Sequence, residues 1–286
     1  MKKISILLIF LAGLCLAGRS QSAGDYRSAT SGNWNATATW ETHNGTEWVA
    51  AIATPTSTDG VITIRSGHTV TITATVNYDQ VVVEAGAQVT VVSGVTHTMN
   101  NGVGTDLTIN GTWLNSGGTW TVTGTTWTVA SGGTYIHNTT SGASTPFGVA
   151  TLDPNSTVIY RGSSVLTPAV SFAGRTYGHL SFESTSGTWS ASLSGSTATA
   201  INGNFTIGSG VSLTTTYTGV LTIGGNYTLN GTLTFSTGTQ IFTFTGSNKI
   251  ISGSGTINFE TINVSIGASL TASNAFTIVS GFTGTI

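Results

Sequence analysis

The stretch VITIRSGHTVTITATVNYDQVVVEAGAQVTVVS, Val61 to Ser93, decides the fold. It holds short β-runs hinged on glycine and repeated at a fixed offset. Gly67 and Gly86 are nineteen residues apart, as are Val70 and Val89, and Thr71 and Thr90. Apolar and polar residues alternate within each run, the period of a strand with one face in a core. Consecutive units of equal length read as successive coils of a parallel β-solenoid, each covering the apolar edge of the coil before it.

Further units echo the same pattern downstream. Gly133-Thr134-Tyr135-Ile136-His137, Gly210-Val211-Ser212-Leu213-Thr214 and Gly267-Ala268-Ser269-Leu270-Thr271 align with Gly67-x-x-Val70-Thr71. In this alignment the apolar residue three past each glycine faces inward and the next faces outward. Short β-runs such as LTINGTWLN and GVLTIGGNYTLNGTLTFSTG fill the intervals. Coils of ~20 residues are expected, roughly a dozen of them, giving a rod about 60 Å long at the ~4.8 Å strand spacing. The expected fold is all-β, a right-handed single-stranded parallel β-helix, its hand following the preference of parallel crossovers. Antiparallel β-sandwich repeats are the alternative. The Asn-Gly pairs at 101, 110, 202 and 230 are hairpin signals that favour them locally. Those residues also suit solenoid corners, and the recurrent spacing favours the solenoid. Runs of mostly four to six residues are too short for the strands of an outer-membrane barrel.

Composition agrees with an all-β chain. Only 6% of the 286 residues are charged, with 38 glycines and 4 prolines, so the residues that coat surface helices are scarce. Lys2 and Lys3 precede the apolar run Ile4 to Ala17, a signal peptide expected to end near Ala23. A lipoprotein signal is the rival reading, but Leu14 stands before Cys15 where a small residue is expected. Cys15 is the one cysteine, so a cleaved chain has no disulfide. Loss of Lys2, Lys3 and Arg19 leaves five basic residues against ten acidic ones. The scattered cations Arg27, Arg65, Arg161, Arg175 and Lys249 argue against nucleic acid as a partner.

The division expected is a signal peptide over 1–23, a Trp-rich β-hairpin cap over 24–60, and solenoid blocks over 61–140 and 181–286. An irregular segment or side loop over 141–180 separates the blocks. The cap holds Trp34, Trp40 and Trp48 and the turn Asn44-Gly45. The order SGNWNATATWE, a hairpin with a tryptophan, Pro55, then DGVITI and GHTVT resembles the start of secreted repeat proteins of the Bacteroidetes related to the eight-glycine extracellular domain family. The resemblance covers residues 24 to about 95. It implies a β-helical, exported protein, one often held at the cell surface through a C-terminal type IX sorting domain. The sequence to Ile286 includes no such domain and stops in mid-pattern at SGFTGTI. A fragment of a longer protein is therefore expected.

Chemistry is sparsely signalled. No two acids lie within three residues of one another, and no acid pair from adjacent coils is expected; Arg65 instead falls beside Glu84. His43, His68, His97, His137 and His179 lack metal-ligand spacing, so neither metal nor cofactor is expected. Trp113, Trp120 and Trp127 recur every seven residues and are the candidates for stacking on sugars. Seven residues is a third of a coil, which sends them to successive sides, where packing in the core is the competing role. Tyr160 and Arg161 are candidates to line a groove. An ice-binding face needs Thr-x-Thr pairs in register. The aligned units offer Thr69/Thr71, Gln88/Thr90, Tyr135/His137, Ser212/Thr214 and Ser269/Thr271, of which the first alone is complete. The expected function is an exported structural or adhesin-like surface module with glycans or other surface components as partners. A lyase-like β-helix and an ice-binding solenoid are the alternatives.

Overall fold

A computed structural model describes residues 21–122, 126–139, 150–235 and 241–255, and short strands between 258 and 283. The segment read as a signal peptide lies outside the described residues up to 20, as do Gly267 to Ser269 and most of SGFTGTI. The chain is a parallel β-solenoid. A complete coil lays down three short strands on three faces, and outside the N-terminal cap the described strands pair in parallel with counterparts one coil away.

The second face runs the full length of the described rod as one eleven-stranded sheet. It starts at Gly32–Asn33 and proceeds through Thr69–Ile72, Gln88–Val91, Thr112–Asn115 and Thr134–His137 to Leu270–Ala272. Eleven strands span about 48 Å at ~4.8 Å per strand. The first face begins as an eight-stranded sheet that ends at Ala150–Leu152; a six-stranded sheet opening at Thr176–Tyr177 takes its place in the coil order. The third face carries a three-stranded sheet, then a four-stranded one from Leu166–Ser171. Across 150–184 the second face continues unbroken in parallel register while the sheets on its flanks are replaced. The repeat also lengthens. Val70 to Val89 is nineteen residues, but Val89 to Trp113 is twenty-four and Trp113 to Tyr135 twenty-two.

Antiparallel pairing is confined, among the described residues, to the N-terminal cap, where Trp40–His43 pairs with Tyr26–Ser28 and with Trp48–Ala50 around the Asn44-Gly45 turn. Asn44 Oδ1 accepts from the amides of Thr46 and Glu47 at 2.9 and 3.0 Å, the local chemistry that selects a tight turn there. The cap is more than a hairpin. Tyr26–Ser28 and Gly32–Asn33 already add parallel rungs to the first and second faces. Trp34 and Trp40 are both 1% exposed and meet edge to face at 5.0 Å, closing the end of the core above Tyr78.

The core is one continuous column, since alternate residues of every face point inward. Corner residues let the coils approach. At the corner between first and second faces the register column reads Ala87, Gly111, Gly133, Ser156 and Gly178, all small. A Cβ on Gly133 would press on the carbonyl oxygens of Ile109 and Ala130. Gly67, Gly86 and Gly132 precede that corner with φ of +81°, +79° and +77°, values that L-residues rarely adopt.

Candidate functional site

The three spaced tryptophans converge inside one coil. Trp113 stands on the second face, Trp120 on the third and Trp127 on the first, and all three point inward. Their exposures are 0%, 6% and 1%. Trp113 and Trp120 stack at 5.6 Å, and Trp120 meets Trp127 at 5.1 Å. Tyr135 joins them from the next coil and Tyr78 from two coils back. No ring face of the three is open to a sugar, so the stacking role expected for Trp113, Trp120 and Trp127 has no surface to act on.

Tyr160 and Arg161 are adjacent on Thr157–Gly162 and therefore point to opposite sides of the sheet. Tyr160 is fully buried, stacked on Phe182 at 5.2 Å, and burial holds its hydroxyl well above the ordinary phenol range. Arg161 faces out and pairs with Glu183 on the next coil, Nη2 to Oε2 at 2.7 Å. The two do not line one groove. Arg65 is exposed, and Glu84 turns to accept from the amide of Ser66 at 2.8 Å; the described ion pairs are Arg161–Glu183 and Arg27–Glu41.

The histidines are structural in their contacts. His97 is completely buried, its Nδ1 3.0 Å from the Tyr78 hydroxyl and its ring 5.0 Å from Trp120. Its Nε2 has no hydrogen-bond partner, and burial pulls its pKa down to about 3. His68 Nδ1 lies 2.8 Å from the Ser28 hydroxyl, and His179 Nδ1 accepts from the Asn204 amide at 3.0 Å. No group of three or more potential metal ligands occurs among the described residues.

One constellation was not expected from the sequence. Asp79 and Asp106, twenty-seven residues apart, meet at the corner between the third and first faces. Asp79 is 8% exposed and Asp106 0%. Asp106 accepts from the amides of Gly102 at 3.0 Å and Thr126 at 2.6 Å; Asp79 accepts from that of Gln80 at 2.8 Å. A coil of fixed nineteen-residue length places Thr98 opposite Asp79, and the residues inserted at 100–105 are what deliver Asp106 there instead. Expecting no acid pair from adjacent coils was therefore wrong.

The outward surface also differs from the aligned pattern. On the second face the residues facing out are Thr112/Leu114, Thr134/Ile136 and Thr157/Ile159, in register with Thr69/Thr71 and Gln88/Thr90. Tyr135 and His137 point inward and are fully buried. The alignment slipped by one because Gly132, not Gly133, corresponds to Gly67, and a one-residue slip exchanges the faces of a strand. Ser212 and Thr214 belong to the third face. There the outward residues are Thr96/Thr98 beside Thr119/Thr121, and Ser190/Ser192, Ser212/Thr214 and Thr232/Thr234 in sequence. Each of those five rungs carries a hydroxyl at both positions, and none of their strands contains Asp, Glu, Lys or Arg; His97 on the first of them points inward.

No protein-family model matches the chain, and no curated protein or solved structure matches it either.

Proposed function

We propose that this chain is an exported structural module, a stiff β-solenoid rod whose Ser- and Thr-rich faces contact glycans or other components of the cell surface. The observation that carries the reading is the unbroken stack. One core column and one eleven-stranded sheet run through the described rod, and its bulky aromatics are used inside it. Such a body resists bending because its coils are hydrogen-bonded to their neighbours, along three faces within each block and through the second face across 150–184. The basic and apolar N-terminus and the likeness of residues 24–95 to secreted repeat proteins support export. Protease shaving of intact cells expressing the full chain with an internal epitope tests location. Loss of the epitope without lysis is expected, and a protected epitope in the cytoplasmic fraction would overturn the reading. A glycan array with the purified rod separates an adhesive module from a purely structural one.

The five hydroxyl pairs favour a second reading, an ice-binding face. Adjacent rungs repeat at ~4.8 Å and alternate residues at ~6.7 Å, which sets hydroxyls and methyls on a rectangular grid without charge. Ice recrystallisation assays test it. Inhibition that disappears in Thr214→Lys but persists in Thr71→Lys is expected; unhindered crystal growth would rule the reading out. The buried Asp79–Asp106 pair lends nothing to a lyase, since a catalytic carboxyl must reach its substrate.

A further inference from the structure

We propose that Asp79 and Asp106 form a proton-shared latch, which holds the 100–106 turn against the coil in mildly acidic solution and lets it open when the proton is lost. The turn joins the strand Thr96–Met99 on the third face to Leu107–Ile109 on the first. It is the insertion that lengthens this coil, and Val103 at its tip is 89% exposed. Its ends are held by backbone bonds, Asn100 N to the Tyr78 carbonyl and Asp106 N to the Thr126 carbonyl, both at 2.9 Å, while the hydrogen bonds described between 101 and 105 run through Asp106, Gln80 and Thr126. The Gly102 amide donates to Asp106, and the Asp79 carboxyl occupies the space that a side chain at 102 would fill. Around them Gln80 Nε2 donates to the Val103 carbonyl at 2.7 Å, and the Thr126 hydroxyl to that of Gly104 at 3.0 Å.

Two ionised carboxylates have only acceptors to offer one another, so a hydrogen bond between Asp79 and Asp106 requires one proton between them. Asp106 accepts from two backbone amides. Asp79 is the member that holds the proton, and its pKa is pushed up to about 6, first by burial, then by the hydrogen bond and the charge of Asp106. No cation offsets the pair among the described residues. Asp25 and Asp59, nearer the cap, are turned onto the amides of Val61 and Thr56. Tyr78 points into the core toward His97. On the far side stands the neutral Thr126.

The sign follows from a raised folded-state value. The contribution of the latch is complete below the ordinary aspartate range near 4 and is lost as pH rises through about 6. The proton passes to solvent, and two like charges then face each other in a nearly dry corner.

Amide exchange at Gly102, whose N–H donates to Asp106, corrected for its intrinsic rate, reads the latch. Protection is expected to fall at least tenfold between pH 5 and pH 7.5, and Asp79→Asn, neutral at every pH, is expected to abolish that fall. Carboxyl carbon titration of the unmodified protein gives a second measure, with one aspartate expected to titrate near 6. Protection equal at both pH values, an undiminished fall in the variant, or both carboxyls titrating below 4.5 would each overturn the proposal.

Discussion

Burial of an imidazole between Tyr78, Trp113 and Trp120 sets how this protein meets acid. His97 has one hydrogen bond and no room for a hydrated charge, so the folded state refuses a proton that the unfolded chain accepts near pH 6.5. The stability it contributes is complete above 6.5 and declines as pH falls toward about 3, below which no more is lost. Chemical denaturation at intervals from pH 7 to pH 3 should show a loss on the order of 4 kcal/mol from this group, by the usual conversion of about 1.4 kcal/mol per unit. His97→Gln should flatten the slope even if it lowers the plateau. A slope unchanged in the variant would place the acid sensitivity elsewhere. Arg161 gives the opposite expectation. Its pairing with Glu183 is about a third exposed, so Arg161→Ala should change unfolding free energy by less than about 1 kcal/mol.

Strands and corners explain which parts of the architecture were legible. The parallel stacking and the Val61–Ser93 coils were readable because Gly67/Gly86 and Val70/Val89 recur at one interval with period-two alternation. Two things were hidden. A double glycine at 132–133 left the register ambiguous, and the wrong choice turned Tyr135 and His137 outward. The 100–105 insertion carried Asp106 to Asp79 at a distance in sequence that no repeat arithmetic supplies. The two glycines predict different costs for the same substitution. Gly133→Ala drives a methyl against the Ile109 carbonyl, which cannot move without parting two coils, and should cost about 1–3 kcal/mol. Gly132 has open space around it and φ of +77°, so Gly132→Ala should cost about 1–2 kcal/mol, and Gly132→Asn less, because Asn tolerates that conformation. Thermal midpoints of the three variants measure this, and equal behaviour of Ala and Asn at 132 would refute the backbone explanation.

At the scale of the whole molecule, stability is a sum of coil units and the contacts between neighbours. The cap bears on all of it, because Tyr26–Ser28 and Gly32–Asn33 are hydrogen-bonded to the first coil and Trp34 closes its core. Deleting residues 24–60 should expose that end and increase concentration-dependent association relative to the full chain, seen by light scattering. A capless chain that associates no more than the full chain would show that the end is not sticky. The tryptophans follow the same logic. Their sevenfold spacing is legible, but whether three successive sides face in or out depends on strand phase, and each of the three falls on an inward position.

The pairing of each strand with its counterpart one coil away has a consequence in time. A nascent chain needs only the coil just finished to place the next one, since the strand pairings among the described coils join neighbours. Among the described residues the cap alone closes on itself by antiparallel pairing, and it precedes the coils in the chain. Folding then advances like a winding thread, each turn using the last as its template, and it proceeds in the direction in which the chain is delivered.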